Sequence, residues 1–180
     1  MSERCVALLR GINVGGKNKI TMNDLADIFR AAQCRDVLTY IQSGNVIFTV
    51  DPPALDLLPS VITAHIAERF GYTIPVVLRT AQQIGDVIRQ NPFLTEGIAE
   101  DTLHVMFLAA QPLAAAVDGL DPDRSPPDSF SVHGQEIYLQ LPNGAARTKL
   151  TNDYFDTKLS TISTGRNWRT VTKLFELLSG

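Results

Sequence analysis

The sequence predicts an α+β protein: two ferredoxin-like (βαββαβ, α-β plait) subdomains packed together, with a connecting helix and an extra C-terminal helix. Three observations carry this. The order β-α-β-β-α-β can be read over residues 4–80, and again over about 102–164. The strand segments "CVALL", "VLTYI", "IPVVL" and "HVMFL" are near-continuous apolar runs, the pattern of strands buried on both faces. The 180 residues are 44% hydrophobic and 19% charged, with a mean hydropathy of +0.03, so there is apolar surface enough for a core in each half.

The elements follow in chain order. "CVALLR" is a strand. "TMNDLADIFRAAQC" is a helix, with Thr21 as N-cap and Asp24 beside the positive end of the helix dipole. Leu25, Ile28, Phe29 and Ala32 form its apolar stripe. "DVLTYIQ" and "NVIFTV" pair about Ser43-Gly44 as a hairpin. "DPPALDLLPSVITAHIAERFG" holds a helix interrupted early by Pro59 and closed by Gly71. "IPVVLRT" is the fourth strand and "AQQIGDVIRQNPF" the connecting helix. The second unit opens with the strand "TLHVMFLA" and the short helix "QPLAAAVDGL", and the proline-rich loop "DPDRSPPDS" is expected to be exposed. "FSVHGQEIYLQL" is a hairpin turning near Gly134, "TNDYFDTKLS" a helix, "STIST" a short last strand and "NWRTVTKLFELLSG" the terminal helix. The expected domains are 1–80, a connecting segment 81–101, and 102–180 with the terminal helix. The first and third strands of each unit are expected to run parallel, so that the loops leaving them share an edge.

Charge and cysteine usage narrow the function classes. The net charge is −3, which argues against general nucleic-acid binding. Residues 1–80 carry 8 Lys/Arg against 7 Asp/Glu, residues 81–146 carry 2 against 9, and residues 147–180 carry 6 against 3. Positive groups therefore concentrate in the first half and the tail. No apolar run reaches membrane-spanning length, and the start, "MSERCVALLRG", shows no small-residue cleavage site. Cys5 and Cys34 have no zinc spacing and read as free buried thiols of a cytoplasmic protein. His65, His104 and His133 share no i, i+4 spacing, and no metal site is expected.

Gly11 to Lys17, "GINVGGK", fits the first seven positions of a phosphate-binding P-loop. The rest of the pattern is missing. Asn18 stands where Ser or Thr would ligate Mg²⁺, the helix is expected to begin near Met22, and no strand ends in a metal-holding Asp. The loop is therefore expected not to wrap a phosphate. It shares its polar, small-residue character with "QSGN" (Gln42 to Asn45), "RTKLTN" (Arg147 to Asn152) and "TGRNWRT" (Thr164 to Thr170), in which Asn167 is a possible N-cap.

Five stretches, "ALLRGINVGGKNKITM", "TYIQSGNVIF", "NPF", "TKLTN" and "STGRNWRTVTKL", together resemble the bacterial domain of unknown function 1697 family, in order and over nearly the whole chain. The resemblance implies two α-β-plait subdomains and no established activity. Thr148 stands where serine is common in that family and Arg169 where asparagine is common.

Three functions follow as expectations. The first is a site for a small anionic or phosphorylated, nucleotide-like ligand at a basic cleft between the subdomains. Its ligand-binding residues are Arg10, Asn13, Lys17, Ser43, Asn45, Lys149, Arg166 and Asn167, with Arg10, Asn45, Lys149 and Arg166 sharing one electropositive pocket. The motifs hold no general base apart from Asp153 just beyond one, which favours binding over acid–base chemistry and leaves catalytic residues and any cofactor unassigned. The second is a structural network of the same residues pinning the two lobes. The third is RNA binding, against which "NVIFTV" and "CVALLR" lack the interleaved aromatics that stack bases.

Overall fold

The computed structural model describes the whole chain except the side chains of residues 95 and 96. The chain divides into two units. Unit 1 is Met1–Ile84 with Leu174–Gly180, and unit 2 is Gly85–Lys173.

Unit 1 holds strands β1 (Glu3–Leu9), β2 (Arg35–Tyr40), β3 (Asn45–Val50) and β4 (Val76–Thr80), with helices α1 (Met22–Ala31) and α2 (Leu58–Phe70). Its sheet order is β2-β3-β1-β4. Helix α3 (Ala81–Arg89) leads out of β4. Unit 2 then repeats the pattern with β5 (Leu103–Leu108), α4 (Ala114–Asp118), β6 (Ser129–His133), β7 (Glu136–Gln140), α5 (Asn152–Leu159) and β8 (Ser163–Asn167), followed by α6 (Trp168–Ser179). Its sheet order, β6-β7-β5-β8, is the same topology. Two ferredoxin-like sheets, an intervening helix and a C-terminal helix are the fold class the sequence predicts.

Alternation along β1 explains its unbroken apolar run. Cys5, Ala7 and Leu9 join a core with Leu25 and Phe29 of α1 and with Ile62 and Ile66 of α2. Val6 and Leu8 point to the other face and are also fully buried. Both faces of the central strands are therefore dry, as the sequence implies. Strand β2 departs from that expectation: "VLTYI" forms an edge strand, and Leu38 is 44% exposed. An edge position leaves β2 only β3 to pair with, so an apolar side chain there need not be covered.

Three further readings are corrected. The first and third strands of each unit run antiparallel, β1 against β3 and β5 against β7. In this topology the third strand inserts between the first and second, so the loops leaving strands one and three emerge at opposite edges. The last strand is Ser163–Asn167 rather than "STIST". It is an edge strand held by backbone pairing, from Ser163 opposite Leu108 to Asn167 opposite His104, and its Gly and Arg hide it from a hydrophobicity reading. Pro59 lies in the first turn of α2 and does not interrupt the helix, because a first-turn residue has no intrahelical N–H bond to lose.

Helix ends follow the caps read from sequence. Thr21 Oγ1 accepts from Asp24 N at 3.1 Å, and Gly71 closes α2 in the left-handed conformation at φ 75°. Cys5 and Cys34 are free and buried. No helix among the described residues is long and apolar enough to cross a membrane.

Candidate functional site

The glycine loop is not a phosphate cradle. Gly15 and Gly16 adopt φ 57° and 74°, the left-handed pair that a two-residue hairpin turn requires. Val14 and Lys17 form an isolated bridge, and the Lys17 amide is spent on Val14 O at 3.0 Å. Helix α1 starts only at Met22, so its N-terminal amides do not meet that lysine.

The loop's asparagines hold backbone. Asn13 Nδ2 donates to Ile20 O at 3.0 Å and to Gln42 O at 2.9 Å, and its Oδ1 accepts from Ile20 N at 2.9 Å. Asn18 Nδ2 donates to Gly11 O at 2.9 Å. Asn45 is fully buried, and its Nδ2 donates to Tyr40 O and Ser43 Oγ, both at 3.1 Å. The first two polar stretches therefore meet, at the end of the sheet where β1 finishes and β3 begins. Arg10 is half-buried there, with its amide donating to Pro75 O, and Lys17 is exposed.

The other two stretches meet in unit 2, at the opposite end of its sheet. β7 and β8 both run antiparallel to β5, so they finish together beside the start of β5. A cavity of about 330 Å³ opens there. Met106, Leu139, Leu141, Ala145 and Leu150 make its apolar lining, and His104, Thr148, Thr151, Asn152 and Asn167 its polar one. Gly165 lies on its wall. It stands on β8 opposite Met106, and a Cβ there would meet the Met106 sulfur at 3.4 Å.

Two helices begin at this cavity. Thr151 caps α5 by accepting from Tyr154 N at 3.2 Å, and Asn167 caps α6 by accepting from Thr170 N at 2.8 Å. Their N-terminal ends carry partial positive charge. Asn152, the first residue of α5, donates through Nδ2 to Ser163 Oγ at 2.9 Å and to the Met106 sulfur at 3.3 Å. Ser163 is in turn tied to Asp156 Oδ1 through its hydroxyl at 2.7 Å and its amide at 2.8 Å.

The predicted cations behave differently from one another. Arg166 borders the cavity, but β8 alternation turns its side chain away from Gly165 and Asn167. Its Nη1 donates to Thr164 Oγ1 at 2.9 Å and to Gly165 O at 2.8 Å. Burial lowers its pKa to about 10, which still leaves it charged at neutral pH. Lys149 is exposed, and its carbonyl accepts from Arg124 Nε at 3.1 Å.

Sequence reasoning passed over His104. Its Nδ1 is buried without a hydrogen-bond partner, and burial holds its pKa below the ordinary histidine value. A backbone hydrogen bond with Thr102 raises it in part, and the Thr102 carbonyl also accepts from Leu141 N at 2.8 Å. The signal in sequence was a lone polar residue inside the apolar run "LHVMFL". Among the described residues, no group of three or more His, Cys, Asp or Glu side chains is placed to hold a metal ion.

The comparisons agree with the motif resemblance. The family model described as "Protein of unknown function (DUF1697)" matches residues 2–138. The chain is also similar to the conserved bacterial protein SP0830 from Streptococcus pneumoniae, with a TM-score of 0.78 and 20% identity over 100% of both chains. That identity carries the fold alone. No curated protein matches the chain.

Proposed function

We propose, for a chain that belongs to the DUF1697 family of unknown function, that unit 2 binds a small ligand with an anionic head and an apolar body in the cavity between β5, β8 and the start of α5. One observation carries the reading: Thr148, Leu150, Thr151 and Asn152 of one polar stretch and Gly165, Arg166 and Asn167 of the next line one cavity. Its size lies within the range of small-molecule sites. Two helix N-termini border it, and no carboxylate lines it among the described residues. The apolar lining around Met106 and Leu139 suits the body of the ligand.

A second, structural reading applies to unit 1. There Asn13, Asn18 and Asn45 hydrogen-bond backbone carbonyls, and Asn45 has no accessible surface to offer a ligand. These residues fix the loop geometry of unit 1.

The test is a thermal-shift panel of ATP, ADP, glucose 6-phosphate, coenzyme A, pyrophosphate and heparin, run on the wild type and on Gly165→Leu. The leucine side chain would grow into the space over Met106. A true ligand at 100 times its Kd stabilises the wild type by about 2.7 kcal/mol, and Gly165→Leu loses that shift while keeping its circular dichroism. No shift from any small anion, or an equal shift in both proteins, removes the proposal. A shift from heparin alone favours a polyanion surface instead.

A further inference from the structure

His104 has no assigned role in the fold. It is the second residue of β5, and its neighbours across the sheet are Leu139 and Asn167. On a central strand of an otherwise apolar run, a leucine or valine would pack without leaving a polar atom unpaired. The chain instead keeps an imidazole whose Nδ1 is buried without a hydrogen-bond partner, on the wall of the cavity where both unit 2 polar stretches meet. A buried ring nitrogen without a hydrogen-bond partner carries a desolvation cost, which the Thr102 backbone offsets only in part.

The cavity lining carries little charge. Arg166 of β8 is the charged residue of the lining among the described residues, and its head group is tied to Thr164 and Gly165 O. The lining residues of β7, of the loop over 141–150 and of α5 contribute no titratable group. Nothing negative in that lining therefore faces the imidazole to stabilise its protonated form. Burial acts in the same sense and keeps the ring neutral near pH 7.

We propose that His104 is the anion-recognising residue of the unit 2 cavity, and that an anion enters it together with one proton. The inference rests on the cavity being a ligand site, as set out above. The imidazole takes the proton from solvent, becomes imidazolium, and pairs with the incoming negative group; no bond in the ligand breaks. The ligand thus supplies the counter-charge that the lining lacks. By linkage, whatever raises proton affinity on anion binding must raise anion affinity on protonation. Binding therefore strengthens as pH falls through the histidine range and weakens above it.

The experiment uses the full chain with isotope-labelled histidines, followed by NMR from pH 5 to 8 in chloride and in sulfate at matched ionic strength. Sulfate is the probe because its own charge does not change over that range. His104 is assigned by comparison with His104→Gln. The expected result is a tenfold or greater rise in His104 proton affinity in sulfate, with His65 and His133 unmoved. A His104 titration that is the same in both salts overturns the inference, as does an equal shift of all three histidines, which would be general screening. With any small anion found by the thermal panel, affinity corrected for the anion's own titration is expected to fall between pH 5.5 and pH 8, by no more than the factor by which that anion raises His104 proton affinity, and not to fall in His104→Gln. Binding that is tight yet independent of pH leaves the cavity reading standing and removes the role of His104. Absence of any anion effect on stability or on His104 removes both.

Discussion

Replacing Asn13 separates a structural asparagine from a ligand-binding one. Its side chain makes three hydrogen bonds, to Ile20 O, Gln42 O and Ile20 N, at 3.0, 2.9 and 2.9 Å. The two to Ile20 are partly buried and contribute about 1 kcal/mol each; the one to Gln42 is exposed and contributes about half that. Asn13 also sits at φ 54°, where a Cβ without a polar group to compensate costs about 1 kcal/mol more. Asn13→Ala should therefore destabilise the protein by about 3.5 kcal/mol. Asn13→Gly loses the same bonds without the conformational strain, and should cost about 2.5 kcal/mol. Asn13→Asp keeps the acceptor for Ile20 N but turns a carboxylate oxygen toward two carbonyls, so it should not rescue. Urea unfolding followed by circular dichroism gives the three values, read from midpoints at unchanged slope. An alanine variant within about 1 kcal/mol of wild type would refute the reasoning, because three bonds at these distances could not then be net stabilising. A glycine variant no better than alanine would refute the strain component alone.

Two other predictions concern unit 1. Gly44 lies at φ 91° and a Cβ there would come within 2.8 Å of Leu9 Cβ, so Gly44→Ala should cost more than 2 kcal/mol, on the order of an overpacked core. Gly15→Ala, at φ 57° with nothing within 4 Å, should cost only about 1 kcal/mol; urea midpoints that rank the two the other way would show the packing argument to be wrong. Burial raises the thiol pKa of Cys5 to about 12 and of Cys34 to about 11, so neither should react with a disulfide reagent at pH 8 until urea unfolds the chain. Because these folded-state values lie above the ordinary 9.0, stability should also decline as pH rises past about 9, where only the unfolded thiols ionise. Rapid modification of the native protein would contradict both statements.

The sequence by itself determined most of the elements and the duplication. The periodicity of "NDLADIF" and the unbroken apolar run "CVALL" fix which side chains must be dry, and caps such as Thr21 and turn residues such as Gly71 act over three or four neighbours, so local rules suffice to place them. It also excluded a P-loop, because Asn18 and the late helix start are local facts. Tertiary structure decided the rest. Whether "VLTYI" is central or edge depends on which strand lies beside it, and its composition does not carry that. The polar segment Ser163–Asn167 is a strand only because β5 offers a free edge for its backbone to pair with. Strand direction sorted the motifs: the third strand inserts antiparallel to the first, so the glycine loop joins the Gln42–Asn45 turn in unit 1, while Thr148–Asn152 joins Asn167 at the other end of the sheet in unit 2. In the sequence His104 is marked only as a lone polar residue in "LHVMFL"; that its Nδ1 is buried without a hydrogen-bond partner belongs to the fold, and no spacing along the chain records it.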